Sequence, residues 1–279
     1  MVAFEDNKMA AANRNAYILS WIQYSVIPEY MMAMLAISHT ECGGEGVGID
    51  ARRALQGDVK SPVFFWDAFA AFYIGSMEGV EVGGSDETVD GVMLWNLANK
   101  RAVTFNTLND DFFAEINDEM VDLLFAGQSE LDRSNCLNIE KSANKIMHLM
   151  LMPIIQNNIW YAIQNQDLPS NSTSPDLVIG KVLALSLLPI VSKYDGDAAV
   201  VIERNMVDIE YTKPVRDGAQ AVADAFYSVL DDMEWGCKYL GEAEGVGTCQ
   251  SSVRNAASSA VTSIVATTVS GLLFSATFL

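Results

Sequence analysis

Residues 65–79 read FWDAFAAFYIGSMEG, and the spacing of their apolar side chains decides the fold class. Trp66, Ala70, Tyr73 and Met77 recur with the 3.6-residue period of a helix face, and Trp66, Phe69 and Phe72 supply aromatic bulk for a core. Ser61-Pro62 supplies an N-cap and a first-turn proline, and Gly79 is placed to end the helix. The acidic, glycine-bearing run GGSDETVDG (83–91) follows as a loop. The segment carries three oxygen-bearing groups, Asp67, Tyr73 and Glu78, of the kind that hold hard metal ions.

The helical period extends outward in both directions. Upstream, NRNAYILSWIQYSVIPEYMMAMLAISHTEC (13–42) places Ile18, Ile22, Val26 or Tyr30, and Met34 on one face, with Pro28 marking a kink or a break. Downstream, helices are expected at 92–103, 111–125, 138–164 with Pro153 inside, 175–192, 197–208 and 214–233. No segment alternates with period two. The expected fold is all-α, antiparallel helical bundle(s) with a C-terminal hydrophobic tail, and Trp66, Phe69, Tyr73, Leu149, Ile155, Leu187 and Ile190 in the core. The helical domain is assigned to residues 1–252, with a division near 43–60, and the tail to 253–279.

With 279 residues, half of them hydrophobic, the chain can bury a large core. Its 36 acidic residues against 17 basic ones give a formal charge of -19, which disfavours nucleic acid and anionic membrane surfaces as partners and suits cations. A strongly acidic surface also serves solubility alone. Cys42, Cys136, Cys237 and Cys249 lack the C-x-x-C spacing of zinc or redox sites, and their even number accommodates two disulfides. Cys237 and Cys249 enclose a glycine-rich loop that a disulfide would staple, whereas Cys42 and Cys136 would tie distant helices. Asn171 heads the N-S-T sequon in QDLPSNSTSP (166–175), the most loop-like stretch of the chain and a candidate glycosylation site.

The ends of the chain carry their own expectations. MVAFEDNKMAAANRNAY (1–17) has no basic-then-apolar secretory pattern. The final 22 residues, SSAVTSIVATTVSGLLFSATFL (258–279), contain no charge and approach the ~20 residues that span a bilayer. Small residues precede them at Ser251, Ser252, Asn255, Ala256 and Ala257, the arrangement of a removable lipid-anchor signal. The tail is expected to direct membrane attachment, as a span or as such a signal, and the chain to begin inside a longer reading frame; a genuine amino terminus on a tail-anchored cytosolic protein is the competing explanation.

No phosphate-binding loop, nucleophile elbow, H-E-x-x-H pair or zinc finger occurs, and His39 and His148 are the only histidines. A non-enzymatic binding protein is expected. Asp67 and Glu78 lie eleven residues apart, on nearly one helix face but roughly 16 Å apart along it at about 1.5 Å per residue. They cannot chelate one ion by themselves. Asp67 in the first turn also complements the helix dipole.

Four blocks carry a resemblance: WDAFAAFYIGSMEG (66–79), DGVMLWNLANKRAVTF (90–105), IMHLMLMPIIQNNIWYA (146–162) and ALSLLPIVSKYDGDAAVVIERNM (184–206). In order and spacing they resemble the iron-assimilation family of microalgae, which includes the diatom phytotransferrins, over about residues 16–249. The resemblance implies a helical protein of the outer plasma-membrane face or periplasmic space that binds ferric iron, Fe(III), with carbonate as co-ligand. It implies metal ligands drawn from Asp67, Glu78, Tyr73, Glu29, Tyr161, Tyr194 and Asp195, with Arg101 neutralising carbonate through its planar guanidinium. The pattern departs at Ala68, where relatives carry Glu, at Asn99, where they carry Asp, and at Ala102 and Leu108, where they carry a cysteine pair, so two carboxylates and one disulfide of the family are missing. The alternative reading is a helical surface binding or adhesion protein that has lost its metal.

Overall fold

In the computed structural model, residues 11–42, 61–75, 93–208, 213–230 and 237–249 are described. The tail assigned to 253–279, the division near 43–60 and Glu78 lie outside these residues. Among the described residues the chain is all-α. Its helices are α1 (Ala11–Trp21), α2 (Ile27–Cys42), α3 (Pro62–Ile74), α4 (Leu94–Phe105), α5 (Glu115–Asp132), α6 (Cys136–Asn165), α7 (Pro175–Tyr194), α8 (Gly196–Ile202) and α9 (Ala219–Leu230). Two π-helical segments, Ile22–Val26 and Glu203–Val207, join α1 to α2 and extend α8. The sole extended pairing described is one isolated bridge between Leu108 and Ala114.

The local chemistry sets these limits. Ser61 caps α3 by accepting a hydrogen bond from the Phe64 amide at 3.3 Å, and Pro62 occupies the first turn. The helix ends at Gly75, whose φ of +89° favours glycine, and not near Gly79 as the sequence suggests. Asp67 therefore shares no unbroken α-helix with Glu78. α5 begins at Glu115, four residues later than expected. Phe112 sits at φ +65°, and the Asn109 carboxamide oxygen accepts from the Asp111 and Phe113 amides, so residues 109–113 close on themselves as a turn. The 214–217 stretch is likewise a turn, so α9 starts at Ala219.

The long helix α6, 30 residues and about 45 Å at 1.5 Å per residue, is the central element. It packs against α2, α4, α5, α7 and α9. Its middle is buried all round, from Leu149 through Asn158, with Pro153 inside. Of the seven expected core residues, Trp66, Phe69, Tyr73, Leu149, Ile155 and Leu187 are buried, and Ile190 packs on the core partly exposed. Tyr73 donates to the Asn117 carboxamide oxygen at 2.9 Å, while the Asn117 nitrogen donates to the Trp95 carbonyl and to Asn99. This polar hub lets α3, α4 and α5 meet with the Tyr73 hydroxyl and the Asn117 and Asn99 carboxamides paired.

The amino-terminal rod corrects one expectation. Of the expected stripe Met34 is buried, but Ile18, Ile22, Val26 and Tyr30 are 45–48% exposed; the inner face carries Ser20, Ser25, Pro28, Met31 and Leu35 with Met34. Pro28 has no amide hydrogen to donate, and just before it the Ile27 amide bonds the Ile22 carbonyl five residues back. That widened turn rotates α1, packed on α7, relative to α2, packed on α3.

Two disulfides close the frame, Cys42–Cys136 between α2 and α6, and Cys237–Cys249 across the loop after α9. The Gln156 side chain of α6 donates to the Tyr239 and Leu240 carbonyls inside that loop. Gly241, at φ +72°, lies against α4 where any Cβ would come within 2.1 Å of the Phe105 carbonyl oxygen. Only glycine permits that approach.

Candidate functional site

Arg101 lies on the inner face of α4, where the LWNLANKRAVTF sequence buries Leu94, Trp95, Leu97, Ala98, Ala102 and Phe105 with it. Its side chain is only 4% exposed. The guanidinium carbon stands 4.1 Å from the centroid of the Trp160 ring on α6, a cation–π contact, and Trp160 packs edge-on to Tyr161 at 4.7 Å. Among the described residues no carboxylate pairs with Arg101, and its Nε makes no hydrogen bond. A buried guanidinium with an unused donor is chemically suited to an oxyanion, since its fork offers parallel N–H groups to a planar acceptor.

Two phenols act electrostatically on this cation. Burial works against the Arg101 charge, and the phenols of Tyr161 and then Tyr24 support it. Burial also pushes the Tyr161 phenol well above its ordinary range, with Tyr24 and Asp176 adding to the shift and Arg101 opposing it. Tyr24 enters from the π segment, Tyr161 from the last third of α6 and Asp176 from the first turn of α7. Elements distant in sequence thus bring two phenols within electrostatic reach of one buried cation, with Asp176 acting on Tyr161. Glu29, whose Oε1 accepts from Ser25 at 3.3 Å, opens onto a small cavity that Tyr24 also lines. No three His, Cys, Asp or Glu side chains converge among the described residues.

The other expected ligands sit elsewhere in the frame. The Asp67 carboxyl has Asp132 as its charged neighbour, and partial burial followed by that neighbour raises its pKa above the usual carboxylate value. The Tyr73 phenol is wholly buried in the Asn117 hub. The Tyr194 hydroxyl pairs with His148 Nε2 at 3.1 Å. Asp195 caps α8, accepting from the Asp197 and Ala198 amides, and its second oxygen accepts from Ser228. Of the residues named from sequence, Arg101 and Tyr161 are brought together. Tyr24 and Trp160 escaped notice because each reads as an ordinary boundary aromatic, and nothing in the linear order marks either as facing an arginine on another helix.

No family model, curated protein or solved structure matches the chain. The reading of this site rests on its own chemistry.

Proposed function

We propose that the chain is a ferric-iron-binding protein of an iron-uptake system, in which Arg101 holds a small oxyanion such as carbonate and Tyr24 and Tyr161 supply phenolate oxygens to the metal. The observation that carries this reading is the buried guanidinium of Arg101, unpaired with any carboxylate among the described residues and seated over the Trp160 ring, which packs on Tyr161. A hard, highly charged cation is well matched to phenolate and carboxylate oxygens. An oxyanion seated on the arginine satisfies the guanidinium and offers the ion further oxygens. Because burial raises the Tyr161 phenol, that group is protonated at neutral pH, and iron must displace its proton. Binding then releases protons, so acidification weakens it.

Two disulfides fit an oxidising compartment. Asn171 is exposed in the turn before α7, where a glycan would have room. Together they support a location outside the cytosol, at the cell surface or in a periplasmic space, with the 253–279 tail as the proposed attachment to the membrane.

The test is titration of the oxidised protein with a soluble ferric chelate, with and without bicarbonate, followed by calorimetry and by the visible phenolate-to-iron charge-transfer band. The parent protein is expected to bind iron and to develop the band only with bicarbonate. Tyr161→Phe and Tyr24→Phe should each diminish the band, whereas Asp67→Asn should bind as the parent does. No iron uptake under either condition would sink the reading in favour of a helical surface-binding module without metal.

A further inference from the structure

Three of the chain's nine lysines meet in one place. Lys141 and Lys145 on α6 and Lys193 at the end of α7 line an open cleft of about 770 Å³, together with His148 and Tyr194. Asn138, Lys141, Lys145 and His148 recur at helical spacing along one face of α6. The Tyr194 hydroxyl and His148 Nε2 are bonded across the cleft wall at 3.1 Å, which joins α7 to α6 at this point. The Lys193 ammonium sits 5.4 Å from the Tyr194 ring centroid.

The charge balance here is opposite to that of the whole chain. Acids outnumber bases 36 to 17 overall, yet no Asp or Glu stands three or four residues from Lys141 or Lys145 in sequence. Their helix positions thus offer neither lysine the usual acidic partner, and they face each other as like charges one turn apart. α5 contributes the one acid of the lining, Glu130, and its oxygens are engaged by Arg133, Asn135 and Asn138. Lys193 in the last turn of α7 complements the helix dipole, but its ammonium has no carboxylate among the described residues. Lys141 and Lys145 are about 6 Å apart along α6, from four rises of 1.5 Å. A ligand with two or more anionic groups would bridge them and reach across to Lys193.

We propose that this cleft binds a small multivalent oxyanion, a compound with two or more phosphate or carboxylate groups, clamped between Lys141 and Lys145 on α6 and Lys193 on α7. The site is separate in its residues from the Arg101 cluster and stands or falls independently of it. Its size exceeds what a single inorganic anion fills, and its three flexible ammonium groups suit a polyanion better than a planar monoanion.

The experiment is calorimetry on the full chain at low ionic strength, without iron or bicarbonate, with tripolyphosphate and citrate as separate probes. Lys141→Gln combined with Lys145→Gln should weaken binding at least tenfold, and Lys193→Gln several-fold. Arg101→Met should leave it unchanged, which separates this cleft from the proposed iron site. Binding of tripolyphosphate alone would assign a phosphorylated ligand and of citrate alone a polycarboxylate; either supports the clamp. Since the chain has only two histidines, proton NMR gives a second readout, in which the probe should shift the His148 ring signals and leave those of His39 in place. The clamp is overturned if neither probe binds, or if the double lysine variant, with parental circular dichroism, binds as tightly as the parent.

Discussion

Replacing Arg101 by Met should make the protein more stable and less able to hold an oxyanion, two effects of opposite sign from one side chain. The guanidinium is 4% exposed and has no carboxylate partner among the described residues. Leaving a charge buried and uncompensated costs about 3–5 kcal/mol when measured by removal of a partner. The Trp160 ring, 4.1 Å from the guanidinium carbon, returns ~0.5–2 kcal/mol of that. A net burden of about 1–4.5 kcal/mol remains, and Met, with a similar unbranched stem, fills the same space without it. Urea unfolding of the oxidised protein, monitored by circular dichroism without bicarbonate, should show Arg101→Met more stable by that margin. In bicarbonate at a hundredfold excess over its dissociation constant, the parent should gain about 2.7 kcal/mol and the variant nothing. If Arg101→Met is less stable than the parent in oxyanion-free buffer, the guanidinium is a net structural contributor and its burial gives no reason to place an oxyanion there.

Gly127→Ala tests packing. Glycine-to-alanine in a helix interior normally gains ~1 kcal/mol, but a Cβ here would come 1.9 Å from the Trp66 ring, which is held by its indole N–H on the Leu124 carbonyl at 2.9 Å. Net destabilisation of roughly 2 kcal/mol is expected, turning to stabilisation in a Trp66→Leu background, and parental stability of the single variant in urea would contradict the close contact. Removing the Cys237–Cys249 staple by paired serine substitutions should cost about 3 kcal/mol by the loop-entropy relation, read in the same assay; helical content should survive, because that loop lies outside the helices. Asp67 has its folded pKa raised above the ordinary 3.8, by burial and then Asp132, so the folded state holds the proton more tightly than the unfolded one. Stability should therefore fall as pH rises from about 4 through the folded pKa. Asp67→Asn should be the more stable form at pH 7 and lose that advantage below pH 4, and an unchanged stability-versus-pH profile would refute the shift.

Helical periodicity is a local property, since a face repeating every 3.6 residues needs no partner to be recognised. That is why the all-α class, the Ser61-Pro62 start of α3, the Ser174-Pro175 region that begins α7 and six of the seven expected core residues could be read directly from the chain. The glycine-rich span between Cys237 and Cys249 likewise announced a short, self-closing loop. Where local rules compete, the sequence left the outcome open. Gly75 and Gly79 are both good helix stops, and the left-handed turn falls on Gly75. The stripe through Ile18, Ile22, Val26 and Tyr30 is a proper helical face, yet it is half exposed, because the π turn before Pro28 decides which side of the rod meets α7 and α3. The candidate site depends wholly on such rotations. Arg101 and Tyr161 are 60 residues apart in sequence and Tyr24 is 77 residues before Arg101, so their meeting is set by how α4, α6 and the π segment pack, which no local periodicity encodes. The same holds for Lys193, which completes a cation cluster with Lys141 and Lys145 only because α7 returns alongside α6.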